Sequence, residues 1–253
     1  EAISAFKTAK MAEEQMVLDL IGCNYTETTD VVANFGNPTL LDPLADINIV
    51  GDATSIFTAA ELNNNKFEST ASVMKLVVGD FAGAGTIQFG GYDYHNGTRA
   101  TGEIRDFEAG QAMGAVLEYA ARLNQQVMVY VFTDGSLFSD GQVDNSQDGR
   151  GKFAWRGDNS GTSGVFYLVF DPAGRPQLTS PAQQQIGYYR MNGAGETGAT
   201  PASNNVDLLA ETICLNYLAL QNRAGEFPAL FPNHGLGANL DALISFAPIR
   251  NIV

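Results

Sequence analysis

Apolar residues recur along this chain in four helical stripes and a few short unbroken runs. Between residues 103 and 126, Ile104, Phe107, Met113, Val116, Leu117, Ala120 and Leu123 fall near one stripe. Arg105, Asp106, Glu118 and Arg122 fall mostly elsewhere, so this stretch predicts the longest helix. Gly110 and Gly114 weaken it by about 1 kcal/mol each relative to Ala, and would let it lie close to a sheet. A second helix is predicted over 206–224, with Leu208, Leu209, Ile213, Tyr217 and Leu220 inward. A third starts from Ser69 as cap and runs to about residue 82, burying Val73, Met74, Leu76, Val77 and Phe81. Residues 1–21 carry a looser stripe of Ile3, Phe6, Met16, Val17, Leu20 and Ile21.

The short runs read as strands: 86–90, 127–132, 165–170 and, more weakly, 185–191. A strand on each side of the long helix makes a βαβ unit, which joins parallel strands by a right-handed crossover. Residues 22–65 are rich in Asn, Thr, Asp and Pro and read as loop, with a short helix around 55–62. Asp171-Pro172-Ala173-Gly174 is a turn, 192–205 an aperiodic loop, and the tail with Pro228, Pro232, Gly235 and Gly237 irregular packing. The expected fold is α/β, a largely parallel sheet flanked by helices. With no internal repeat or linker, 1–253 is expected to be one domain, its core at 65–170 and a C-terminal helix and tail over 171–253.

Composition narrows the function. The 253 residues hold 28 acids against 14 bases, a net charge of -14. The pI is near 4.4. Such a surface repels phosphate backbones, so no nucleic-acid partner is expected, whereas a secreted, salt-exposed or divalent-cation-binding protein suits it. Mean hydropathy is -0.07. No apolar run approaches the roughly 18 to 20 residues that span a membrane, so no transmembrane segment is expected. The chain opens on Glu1 inside a helical pattern, without a start methionine or a signal peptide, and is expected to be a mature product or a piece of something longer. Cys23 and Cys214 make either one disulfide in an exported protein or two free thiols.

In open α/β sheets, sites gather beyond the carboxyl ends of the parallel strands. Asp93 and His95 follow the first expected strand and Asp134 the second, which would place them on one rim. Carboxylates and an imidazole there are the ingredients of a Zn, Mn or Fe site; the bland alternative is a hydrogen-bonded loop histidine among solvated acids. A second constellation, Asp144-Asn145-Ser146-Gln147-Asp148-Gly149, has the alternating oxygens and the glycine of a calcium loop. Its twelfth position is Trp155 rather than Glu, so it is not an EF-hand, and a plain polar insertion loop is the alternative. Gly157-Asp158-Asn159-Ser160-Gly161 has no partner histidine motif for serine-protease chemistry, and 79–86 lacks the lysine of a phosphate-binding loop. His234 reads as a loop histidine. Asn24 and Asn96 head glycosylation sequons.

Phe89-Gly90-Gly91-Tyr92-Asp93-Tyr94-His95, the long helix, and the strand ending in Thr133-Asp134 resemble a family of exported bacterial proteins in the alkaline phosphatase-like, or sulfatase-like, superfamily. That family is known as a domain of unknown function. The resemblance covers about 69–170 and, more loosely, 206–246. It implies that Asp93, His95, Asp134 and the pair Asp158-Asn159 stand at the metal-ligand positions. Asn159 replaces a histidine there, and Gly135-Ser136-Leu137 replaces an arginine-containing sequence after Asp134. The superfamily also takes its nucleophile from an early strand that residues 1–65 do not contain.

Two functions follow. One is a catalytically degenerate relative that serves as a structural or binding component of an extracellular or cell-surface assembly, with other protein subunits as partners. The other is a secreted or periplasmic metal-dependent hydrolase of phosphate or sulfate esters. Asn159 and the missing early strand favour the first, and the Asp93/His95 pair favours the second.

Overall fold

The structure is a computed structural model. It describes residues 37–92, 99–133, 136–147, 149–159, 165–187, 190–191, 196–203 and 205–249. Its main helices are α1 (Asn65–Val78), α2 (Arg99–Leu123) and α3 (Val206–Leu220). Its strands are β1 (Val127–Phe132), β2 (Ser136–Asp144), β3 (Lys152–Asn159) and β4 (Val165–Phe170). Short 3-10 turns fill much of the rest. The stripe at 1–21 and Cys23 lie outside the described residues.

The expected parallel sheet does not form. β1 pairs antiparallel with β4, from Val127 opposite Phe170 to Phe132 opposite Val165. β2 pairs antiparallel with β3, as a separate two-stranded sheet. Residues 86–90, expected as the first strand, enter no sheet among the described residues. A βαβ crossover needs a strand on each side of α2, and only β1 is there. The α/β, alkaline phosphatase-like architecture is therefore corrected to helices with antiparallel ribbons. After Phe132 the chain goes out through β2 and back through β3, so β4 returns antiparallel beside β1. The polar stretch between the apolar runs 127–132 and 165–170 hides that hairpin. Register shifts between Ser136 and Phe138 and between Ser139 and Val143 break the two-residue alternation by which a strand is recognised.

Helix ends are set by Asn and Asp. α1 starts a turn before Ser69, because the Asn64 side chain accepts the Lys66 N–H at 3.1 Å. Asp80, Asn124 and Asn222, just past the three helices, have φ of 65°, 54° and 58°. Phe81 N–H then reaches back to Leu76 O at 2.8 Å, Gln125 to Ala120 at 2.9 Å and Arg223 to Leu218 at 2.8 Å. A short polar side chain tolerates this left-handed turn, which satisfies carbonyls the helix leaves open. No strand forms at 185–187 or 190–191, and Met191 is almost fully exposed.

Two cores result. The first joins Ile49 and Phe57 from the turns before α1, Phe67, Ala71, Met74 and Val78 of α1, and Ala115, Tyr119 and Ala120 of α2. The second packs Leu215, Leu218 and Ala219 of α3 on Phe227, Leu236, Leu243 and Ile244. The β1–β4 ribbon touches both. Val127 and Phe170 pack against the first core. Tyr167 donates to Asn216 Oδ1 at 2.9 Å and meets the Phe246 ring edge-on at 5.8 Å. Burial pushes the Tyr167 phenol up.

Asn216 is buried in α3 and fully partnered. Its amide donates to Thr212 O at 2.9 Å and to Leu243 O at 2.8 Å. Its oxygen accepts from Tyr167 and from Ser245 N–H, each at 2.9 Å. One side chain thus ties α3, the ribbon and the tail together, and every hydrogen-bonding position it has is used. Cys214, two residues earlier, faces outward with a free thiol.

Candidate functional site

The expected rim loses its geometric basis with the parallel sheet. Asp93, His95, Asp134 and Asp148 lie outside the described residues. Asp158 and Asn159 fall in β3, with Asn159 opposite Ser136 in the backbone register. Among the described residues, no three His, Cys, Asp or Glu side chains gather as a metal-binding group. His234 packs its ring on Phe227, centroids 5.2 Å apart.

The segment leading into Asp93 is pinned to α1 and α2 rather than to a sheet. The Lys66 ammonium, ion-paired with Glu108, stands 5.6 Å from the Phe89 ring centroid and 5.9 Å from that of Tyr92. Tyr92 donates to Arg105 O at 2.7 Å, and Arg105 Nη1 donates to Gly90 O at 3.2 Å. Gly91 has φ of 87°, and a Cβ on it would come within 2.6 Å of the Arg105 guanidinium carbon. Gly91 of the motif therefore lets a cation of α2 lie against the backbone. Burial raises the Tyr92 phenol's pKa, with Glu108 and Asp106 adding to the shift.

The calcium-loop candidate is the tip of the β2–β3 hairpin. Asp144 Oδ1 accepts the Ser146 N–H at 2.9 Å, and Ser146 Oγ accepts the Gly149 N–H at 3.1 Å. Arg150 and Gly151 carry φ of 51° and 73°, and Gly151 N–H closes the turn on Asp144 O at 2.9 Å. Arg150 and Lys152 reach across to Glu103 in the first turns of α2. Asp144 and Ser146, two of the residues proposed to hold a cation, thus hold the turn. Gly149 is essential to the tip, because a Cβ there would overlap the Asp144 carboxyl carbon. Gly149→Ala is expected to lower the melting temperature by several degrees, a cost of about 1–2 kcal/mol. A thermal unfolding curve indistinguishable from wild type would show that the tip rearranges freely.

Sequence patterning missed a partly buried polar triad joining the turns, α1 and α2. Asp46 Oδ2 takes the Lys75 ammonium and the Tyr119 hydroxyl, each at 2.7 Å, while Oδ1 takes the Asn48 N–H at 3.0 Å. Burial works to raise the Asp46 carboxyl, but the hydrogen bonds from Lys75, Tyr119 and Asn48 outweigh it and hold the group below its ordinary value. Tyr119 is pushed up by burial first and by the Asp46 carboxylate next. Arg122 extends the same clamp, donating to Asn48 O at 3.2 Å and Thr54 O at 2.8 Å.

Several large apolar side chains also face outward. Ile104 and Phe107, expected inside α2, are 66% and 67% exposed. Ala120 of the expected stripe is in the core, and Ala112, Ala115 and Tyr119 are buried beside it, because small side chains let α1 come close. At the far end of the ribbon Tyr130 and Phe132 stack 6.0 Å apart, and both are exposed, as is Phe166.

The chain matches no family model, no curated protein and no solved structure.

No helix among the described residues is long and apolar enough to cross a membrane. The outward aromatics lie on exposed faces of α2 and of the β1–β4 ribbon. The pattern holds a signal for them: β1 is apolar at every position, whereas a ribbon with one face in water alternates.

Proposed function

We propose that this chain is a structural or binding component of an extracellular or cell-surface protein assembly. The observation that carries the reading is the β1–β4 ribbon. It is apolar on both faces, its outer edges are unpaired among the described residues, and it presents Tyr130, Phe132 and Phe166 outward. Exposed aromatic clusters and open strand edges are costly in a chain that works alone, and are covered when a partner subunit docks. The acidic surface keeps the free chain soluble until it does so.

The test is co-purification from the surface and secreted fractions of the producing cell, comparing wild type with Phe132→Ser/Phe166→Ser. Wild type is expected to bring down a stoichiometric protein partner. The double variant, with an unchanged circular dichroism spectrum, is expected to lose it. A monomeric wild type without a partner overturns the reading. So does metal-dependent hydrolysis of 4-nitrophenyl phosphate or sulfate, which would restore the hydrolase.

A further inference from the structure

The outer face of α1 carries a groove. It is built of two adjoining hollows, of about 530 and 340 Å³, whose walls share Glu68 and Ser72. Leu44, Val50, Leu62 and Ala71 supply an apolar surface in the larger hollow, and Leu44 is 66% exposed. The smaller one is bounded by residues 86–88. We propose that this groove binds an extended basic peptide segment. The segment's lysine or arginine pairs with Glu68, and a neighbouring apolar side chain lies against Leu44 and Leu62. The inference rests on the reading of the chain as a binding component and gives the chemistry of one partner.

Three independent observations support this occupant. First, among the described residues the Glu68 carboxylate meets no cation and no hydrogen-bond donor, although α1 carries two lysines. Lys66 is taken by Glu108 and Lys75 by Asp46. Second, the residues lining both hollows include Asp42 and Glu68 but no Lys, Arg or His. One Asp42 oxygen is occupied by the Leu44 N–H at 2.9 Å, which leaves the other for a ligand. A groove of one sign in a chain of net charge -14 selects a cation and repels an acidic peptide.

Third, residues 86–88 belong to no helix or strand, and none of their backbone N–H or C=O groups has a partner among the described residues. Backbone groups in a wall seek partners, and an extended chain laid alongside supplies them at strand spacing. A small amine would fill the carboxylate end and leave this wall unused. An extended basic peptide satisfies both. Its side chains alternate, so lysine and leucine at every second position reach Glu68 and the apolar surface from the two faces.

The test uses the full chain and a fluorescein-labelled hexapeptide of alternating leucine and lysine, followed by fluorescence anisotropy. Micromolar binding is expected. Glu68→Gln, which keeps shape and helix propensity, should weaken it at least tenfold, and Ser72→Arg, which puts a cation in the shared wall, should do the same. A version N-methylated at alternate amides should also bind at least tenfold more weakly, and the leucine–glutamate hexapeptide not at all. Asp207→Asn, an exposed acid away from the groove, is expected to change nothing. Equal losses in Glu68→Gln and Asp207→Asn would reveal general attraction to an acidic surface and overturn the site, as would no binding at millimolar peptide. That failure leaves the assembly reading standing, because the ribbon aromatics and not this groove carry it. Loss of the co-purifying partner in Phe132→Ser/Phe166→Ser, conversely, says nothing about peptide affinity.

Discussion

Asn216→Leu lowers the free energy of unfolding by about 3–5 kcal/mol, read from the urea midpoint at constant slope. The substitution removes two donors and one doubly used acceptor from the second core. Leu243 O and Ser245 N–H are left facing an aliphatic side chain, and the Tyr167 hydroxyl loses its partner. Each buried group so orphaned costs about 1–3 kcal/mol, which exceeds what the added apolar contact returns. Asn216→Asp separates polarity from shape. When ionised it has no donor for the Thr212 and Leu243 carbonyls, and it places a charge in a dry core; when protonated it regains one donor. Burial among carbonyls raises its pKa, so its stability deficit must grow as pH rises through that value. A deficit that is the same at pH 4 and pH 8 would show that water enters beside residue 216. A change below about 1 kcal/mol in Asn216→Leu would show that the network is dispensable.

Asp46→Ala destabilises by about 3 kcal/mol, because it leaves the Lys75 ammonium without its counter-ion in a site where both side chains are little exposed. It also strips the Tyr119 hydroxyl of its acceptor. Breaking such a pair is worse than replacing it. Asp46→Leu combined with Lys75→Met is therefore expected to recover most of the loss, and a double-mutant cycle measures the coupling. Wild-type pH dependence has a definite sign. The Asp46 carboxyl is held below its ordinary value, so its contribution is complete above about pH 4 and is lost as pH falls through the depressed folded value. Asp46→Ala should accordingly unfold with a flatter acid limb than wild type. Identical acid limbs would mean that other carboxylates control the transition.

Helix existence was well signalled along the chain, and helix boundaries were not. The long amphipathic stretch became α2, and the stripe beginning at Leu208 became α3, each ending at an Asn in the left-handed region. The start of α1 was misplaced because Ser69 and Asn64 are both good caps, and the choice between them depends on Phe67 reaching the core. The rim of Asp93, His95 and Asp134 was legible only if residues 86–90 formed a strand. Those residues have strand composition, but composition does not say whether a neighbour is available. Lys66 and Arg105 hold them against two helices instead.

Local pattern alone determined three helices, the apolar runs of β1 and β4, the turn at Asp171 and a strongly acidic surface. All of these depend on propensity, periodicity or charge, which act within a few residues. Tertiary structure decided the rest. The direction in which β1 and β4 pair, the choice of Ala115 and Tyr119 over Ile104 and Phe107 for the core, and the meeting of Asp46, Lys75 and Tyr119 all join groups far apart in the chain. The groove at Glu68 belongs with them: among the described residues its carboxylate meets no cation, and the two lysines of α1 pair with Asp46 and Glu108, 29 and 42 residues away.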